Sequence, residues 1–217
     1  MNLQVSSLLL GTVVLASCSG VFDSSLPAPQ AYVLRMPSRT APAPATSAGS
    51  VLVQRPEARP GLGSDRIAVL RSDRRFDFYA SSRWAAAAPD LVESLIVDAL
   101  RAGGAFSSVY DDSAPYAPRY ALRCTLRRFE ADYTAGGRAP TVFVALDCTL
   151  GRHRDRELLA SFTAQGSAPA SDDRLSAVVA AFETATTSAV NELERATAAG
   201  IANEVAPTET TAQPARK

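Results

Sequence analysis

The 217-residue chain has one histidine, three cysteines and, apart from the terminal Lys217, no lysine. It also lacks a dense cluster of aspartate and glutamate. Little is left from which to build a metal centre or an acid–base pair. A glycine-rich phosphate loop, a serine nucleophile elbow, Cys-x-x-Cys and His-Glu-x-x-His are all missing. The basic excess of a nucleic-acid binder is missing too, since 22 cationic residues balance 22 acidic ones. No long hydrophobic run occurs near the N-terminus either. The uncharged stretch over residues 6–16 is roughly half of the ~20 residues that a spanning helix needs. These absences point away from an enzyme, a cofactor protein, a nucleic-acid binder and a membrane-spanning chain.

What is present suits one globular domain with flexible ends. Hydrophobic residues make up 47% of the chain, enough to bury a core. The stretch over 6–16 has the length of a signal-peptide core, and it runs into Leu15-Ala16-Ser17-Cys18. That tetrapeptide resembles the lipobox of bacterial lipoproteins. The resemblance implies a leader over 1–17, cleavage before Cys18 and acylation of Cys18, with palmitate among the attached chains. Several acyl chains hold a protein stably on a membrane where one is marginal. Residue 19 is serine rather than the aspartate of inner-membrane retention, which by the same resemblance favours the outer membrane facing the periplasm. Residues 18–29 then form a lipidated cysteine and a Ser/Pro-rich tether. The domain follows over 30–200, and the apolar-poor end over 201–217 reads as a disordered tail.

Within the domain, alternation and turn residues predict strands over 31–36, 51–55, 67–70, 76–79, 106–110, 120–127, 142–150 and 157–164. A helix starts at Pro89-Asp90-Leu91 and stops at Gly103-Gly104. A second, longer helix follows Ser171-Asp172-Asp173, read as its cap. The expected fold is α+β: an antiparallel sheet with two amphipathic helices packed on one face, in a single domain. His153, among Arg152, Arg154, Asp155 and Arg156, reads as a solvated residue of a hairpin turn. Asp111-Asp112 reads as a turn.

Two features carry more information. In an antiparallel hairpin, opposed residues keep a constant index sum, and Cys124 and Cys148 are centred on Gly136. They are therefore cross-strand neighbours, either bonded in a disulfide, as an envelope location permits, or left as two buried free thiols. The segment over 76–84, Phe-Asp-Phe-Tyr-Ala-Ser-Ser-Arg-Trp, gathers the single tryptophan with three other aromatics. It is either core or a recognition patch in which Phe78, Tyr79, Arg83 and Trp84 meet a partner.

The lipobox, Pro29-Gln30-Ala31-Tyr32-Val33-Leu34, the stretch Arg59-Pro60-Gly61-Leu62-Gly63-Ser64-Asp65-Arg66-Ile67-Ala68-Val69 and above all Tyr79-Ala80-Ser81-Ser82-Arg83-Trp84-Ala85 resemble the auxiliary lipoproteins of ABC-type transport systems. The resemblance implies a noncatalytic accessory subunit of an MCE-type intermembrane lipid transporter, including the paraquat-inducible type, with an MCE-domain protein as partner. Two other readings differ in class: a regulatory lipoprotein that activates a peptidoglycan synthase, and a small lipid or ligand carrier.

Overall fold

The computed structural model describes residues 28–37, 49–115 and 117–205. Cys18, the leader, most of the tether and residues 206–217 lie outside the described residues. The described elements run β1 (Gln30–Tyr32), β2 (Ser50–Val53), β3 (Glu57–Ala58), β4 (Arg66–Leu70), β5 (Phe76–Trp84), α1 (Ala88–Gly103), β6 (Ser108–Tyr110), β7 (Tyr120–Asp132), β8 (Thr141–Arg152), β9 (Leu158–Pro169) and α2 (Leu175–Val205).

β7 organises the sheet. One of its edges pairs with β8 along its whole length, and β8 pairs in turn with β9, both antiparallel. The other edge carries β2, β3 and β4 one after another, all parallel to β7. β6 extends the sheet beyond β2, while β5 and β1 extend it beyond β4. The α+β class with two helices and one sheet is the expected one. The sheet itself is mixed, however, where an antiparallel one is expected. The physical reason is the long crossover through α1 between β2 and β7, which returns the chain in its original direction, as parallel pairing requires.

The two long antiparallel strands alternate as the pleat demands: Tyr120, Leu122, Cys124 and Leu126 are buried, while Arg123 and Arg127 are exposed. A bulge between Leu126 and Arg128 shifts the register by one residue, so that Phe129 and Ala131 continue the buried row. Val92, Ile96, Ala99 and Leu100 of α1 pack into the same core as Val178, Phe182, Ala185, Ala189 and Leu193 of α2. Pro89 stands in the first turn of α1, and Gly104 closes the helix in the left-handed conformation at φ 65°.

Both ends of α2 differ from the sequence reading. α2 begins at Leu175, beyond the expected cap; Asp172 pairs with Arg174, and Asp173 accepts a hydrogen bond from the Tyr133 hydroxyl. The residues over 201–205, expected in the disordered tail, are the last turn of α2. Ile201 is buried there, and Glu204 joins Arg152 at 2.7 Å. One buried isoleucine and one ion pair therefore extend the helix past the point where its apolar period fades.

Candidate functional site

Trp84 is a core residue and not part of a surface patch. It is 1% exposed, with ring centroids 5.7 Å from Phe129 and 5.0 Å from Phe182. Those two rings are also 5.0 Å apart. The three aromatics join β5, β7 and α2 at one point, where each ring buries its area against the others. The bulge in β5 opposite Arg66 and Ala68, with Ser81 at φ 52°, changes the facing of the strand between Phe78 and Trp84.

The other residues of the segment separate by face. Phe76 and Phe78 lie on the helix-free side of the sheet, their rings edge-to-face at 5.4 Å. Phe76 remains 44% exposed. The Arg66 guanidinium stacks 3.7 Å from the centre of the Phe78 ring, a close cation–π arrangement that presents charge and apolar area together. Gly61, at φ 92°, runs past this corner, and a Cβ there would lie 2.8 Å from the Phe76 ring. Arg83, near the opposite end of β5 and paired across the strands with Arg66, is half-exposed, with its guanidinium 3.7 Å from Asp65.

Tyr79 points the other way. Its hydroxyl is 2.9 Å from that of Tyr133, which donates to Asp173. Burial pushes both phenols above their ordinary range, and for Tyr133 the Asp173 carboxylate and the Tyr79 hydroxyl add to it. This chain of hydroxyls ties β5 and β7 to the start of α2; it is a structural link, half-buried, and not a contact surface.

The same outer face continues across the sheet. Ala68 pairs with both Phe78 and Glu130, and Glu130 pairs with Phe143. Arg128 stacks 4.0 Å over the Phe143 ring and bridges Glu130 at 2.6 Å and Asp132 at 2.9 Å. Burial raises Glu130, opposed by Arg128; burial also pushes Asp132 up, but hydrogen bonds from Thr134 and Arg128 together outweigh it and hold that carboxyl low. The surface is thus two arginine–phenylalanine stacks linked by a buried carboxylate, one of them neutralised by acids and the other, at Arg66, without an ion pair among the described residues.

Of the residues singled out from the sequence, Phe78 and Arg83 reach the surface, while Trp84 and Tyr79 do not serve it. Arg66, Phe76, Arg128 and Phe143 were missed. The hairpin through Asp73-Arg74-Arg75 held the signal for Arg66, because it brings the start of β4 back against Phe78. Cys124 and Cys148 pair directly across β7 and β8 and form a disulfide, with Cα atoms 4.1 Å apart, at the centre of the sheet and away from this patch. His153 is exposed in the β8–β9 turn. Among the described residues, no group of three or more metal-ligating side chains converges, and no helix is long and apolar enough to cross a membrane.

The model of the ABC-type transport auxiliary lipoprotein component family matches residues 32–194. A solved Xanthomonas campestris protein, of the family model DUF330, is 30% identical with a TM-score of 0.71, over 81% of this chain and 98% of its own. A second solved structure, of an uncharacterized protein, shares the fold at 13% identity and a TM-score of 0.60, over 78% of this chain and 98% of its own. No curated protein matches the chain.

Proposed function

Because the chain belongs to the family of ABC-type transport auxiliary lipoprotein components, we propose that it is a noncatalytic accessory subunit that binds the MCE-domain protein of an intermembrane lipid transporter. In this reading Cys18 is the acylated residue and residues 18–29 are the tether. From Ser19 to Pro29 the tether reaches about 35 Å when extended, so the domain stays near its membrane, the outer one, and faces the periplasm. Anchoring raises the effective concentration at which it meets a periplasmic partner.

The observation that carries the proposal is the Arg66–Phe78 stack beside exposed Phe76. A domain that closes its core around Trp84 yet leaves two phenylalanines and an arginine on the opposite face presents the residue types that dominate binding hot spots. Site-specific photocrosslinking from position 76 in intact cells tests the reading. Adducts with an MCE-domain protein are expected. Recovery of a cell-wall synthase with no MCE-domain adduct would overturn it.

A further inference from the structure

A second surface lies away from the aromatic patch, at the end of the sheet formed by the β8–β9 turn. A recess of about 420 Å³ opens on the helix-free face there, lined by Arg123, Thr149, Arg152, His153, Arg156 and Leu158. Arg119 and Arg154 line an adjoining recess that shares Arg152 with it. The carboxylates of this corner are already engaged: Asp155, Glu157 and Glu204 all reach the Arg152 guanidinium at 2.7 Å. Arg119 lies 4.0 Å from Glu204. Arg123, Arg154 and Arg156 are exposed and have no ion pair among the described residues, so the corner holds five arginines against three carboxylates. In a chain whose net charge is zero, this is a local excess created by the fold. Beside it, Leu158 is 62% exposed, the largest exposure among the big hydrophobic side chains described.

An unpaired arginine cluster around a shallow recess, with an apolar side chain projecting at its edge, has the chemistry of an interfacial contact. Guanidinium groups bind phosphate oxygens in bidentate fashion, and a neighbouring leucine gains by entering the acyl boundary. We propose that this end of the sheet lies against an anionic phospholipid surface, with Arg123, Arg154 and Arg156 on the headgroup phosphates and Leu158 below them. An acidic protein would match the charge but gives no role to the exposed leucine. The inference goes beyond the accessory-subunit reading and does not depend on which protein the Phe76–Phe78 face binds.

Flotation of the full chain carrying Cys18→Ser, so that no acyl group contributes, tests it on two kinds of vesicle. One is phosphatidylcholine alone and the other an equal mixture with phosphatidylglycerol. Any leader sequence that remains adds the same affinity to both, so the readout is the preference between them. A clear preference for the anionic vesicles is expected, fading with added salt. Arg123→Gln combined with Arg156→Gln should weaken anionic binding by about twenty-fivefold, from roughly fivefold per arginine. Leu158→Ser should weaken it further. Equal binding to both vesicles, or a preference that survives the double substitution, would overturn the proposal. So would binding of soluble polyglutamate as tight as that of the vesicles with Leu158→Ser changing neither, which would assign the surface to an acidic protein. Crosslinking at position 76 reads the aromatic patch, a separate place on the same face, so the two proposals can fail separately.

Discussion

Gly166 on β9 stands so close to α2 that a Cβ there would meet the Ala185 carbonyl oxygen at 2.0 Å and the Ala189 amide nitrogen at 2.9 Å. Both are backbone atoms, which cannot swing aside as a side chain can. With Ala181, Ala185 and Ala189 buried along the facing side of the helix, this contact sets how near α2 lies to the sheet. Gly166→Ala is expected to destabilise the domain by about 1–3 kcal/mol, the range for overpacking a tight core. Urea denaturation measures it; an unchanged midpoint would mean that the helix stands off the sheet.

The Cys124–Cys148 bond closes a loop of 24 residues within one hairpin. Chain-entropy arguments give about 3 kcal/mol for a loop of that order. The double substitution Cys124→Ala with Cys148→Ala should therefore lower stability by roughly that amount, and a reductant should lower the parent but not the variant. Alkylation of unreduced protein under denaturing conditions should leave both residues unlabelled by mass spectrometry. Two labelled thiols would contradict the bond.

The end of α2 should register in the pH dependence of stability. The Tyr120 hydroxyl first, and the Arg152 guanidinium next, hold the Glu204 carboxyl below its ordinary value of 4.5. A group whose pKa is lowered on folding adds stability above its unfolded pKa and loses it as the pH falls through the folded value. Glu204→Gln should thus melt below the parent at neutral pH, and the two curves should converge as the pH drops beneath 4.5. A gap of constant size at every pH would show that the carboxylate's charge plays no part.

Acylation can be read without the domain's structure. Cys18→Ala should abolish metabolic palmitate labelling and leave a soluble or uncleaved species, since the thiol is the acceptor in the lipobox reading. Labelling that persists in this variant would place the anchor elsewhere.

How much of this was legible beforehand depended on whether the information was local. The Cys124–Cys148 register followed from a single hairpin centred on Gly136, and the structure keeps that register up to the bulge at Leu126/Arg128. The stripe of α1 and its stop at Gly104 were likewise written within one turn or two. The parallel seating of β2, β3 and β4 on β7 depends on contacts 60 or more residues apart, and strands of two to five residues carry too few alternations to announce partners. Trp84 was ambiguous for another reason: its burial rests on Phe129 and Phe182, which lie far along the chain, and on a bulge at Ser81 that alternation does not reveal. Ile201 was lost to the tail because one apolar residue after Leu193 makes no period, though its burial holds the helix.

The separation of Trp84 from Phe78 yields the sharpest test of the candidate surface. Trp84→Ala empties the junction of three aromatic rings and should cost about 3–5 kcal/mol, enough to unfold a marginal domain. Binding loss in that variant would say nothing about recognition. Phe78→Ser and Arg66→Ala, by contrast, act on the helix-free face, where Phe78 is only partly buried at the edge of the core. Arg83→Ala removes only an exposed pairing with Asp65 at 3.7 Å, an interaction of small worth. These three variants should keep a melting temperature near that of the parent. If the Arg66–Phe76–Phe78 face meets the partner, Phe78→Ser and Arg66→Ala should weaken binding tenfold or more, in keeping with truncation of a desolvated hot-spot residue at about 2 kcal/mol. Arg83→Ala, at the margin of the patch, should weaken it less. Calorimetry for stability and pull-down of the MCE-domain protein for binding separate the cases. Intact binding in Phe78→Ser at unchanged stability would remove the patch from consideration, and a matched fall in both would return Phe78 to the core.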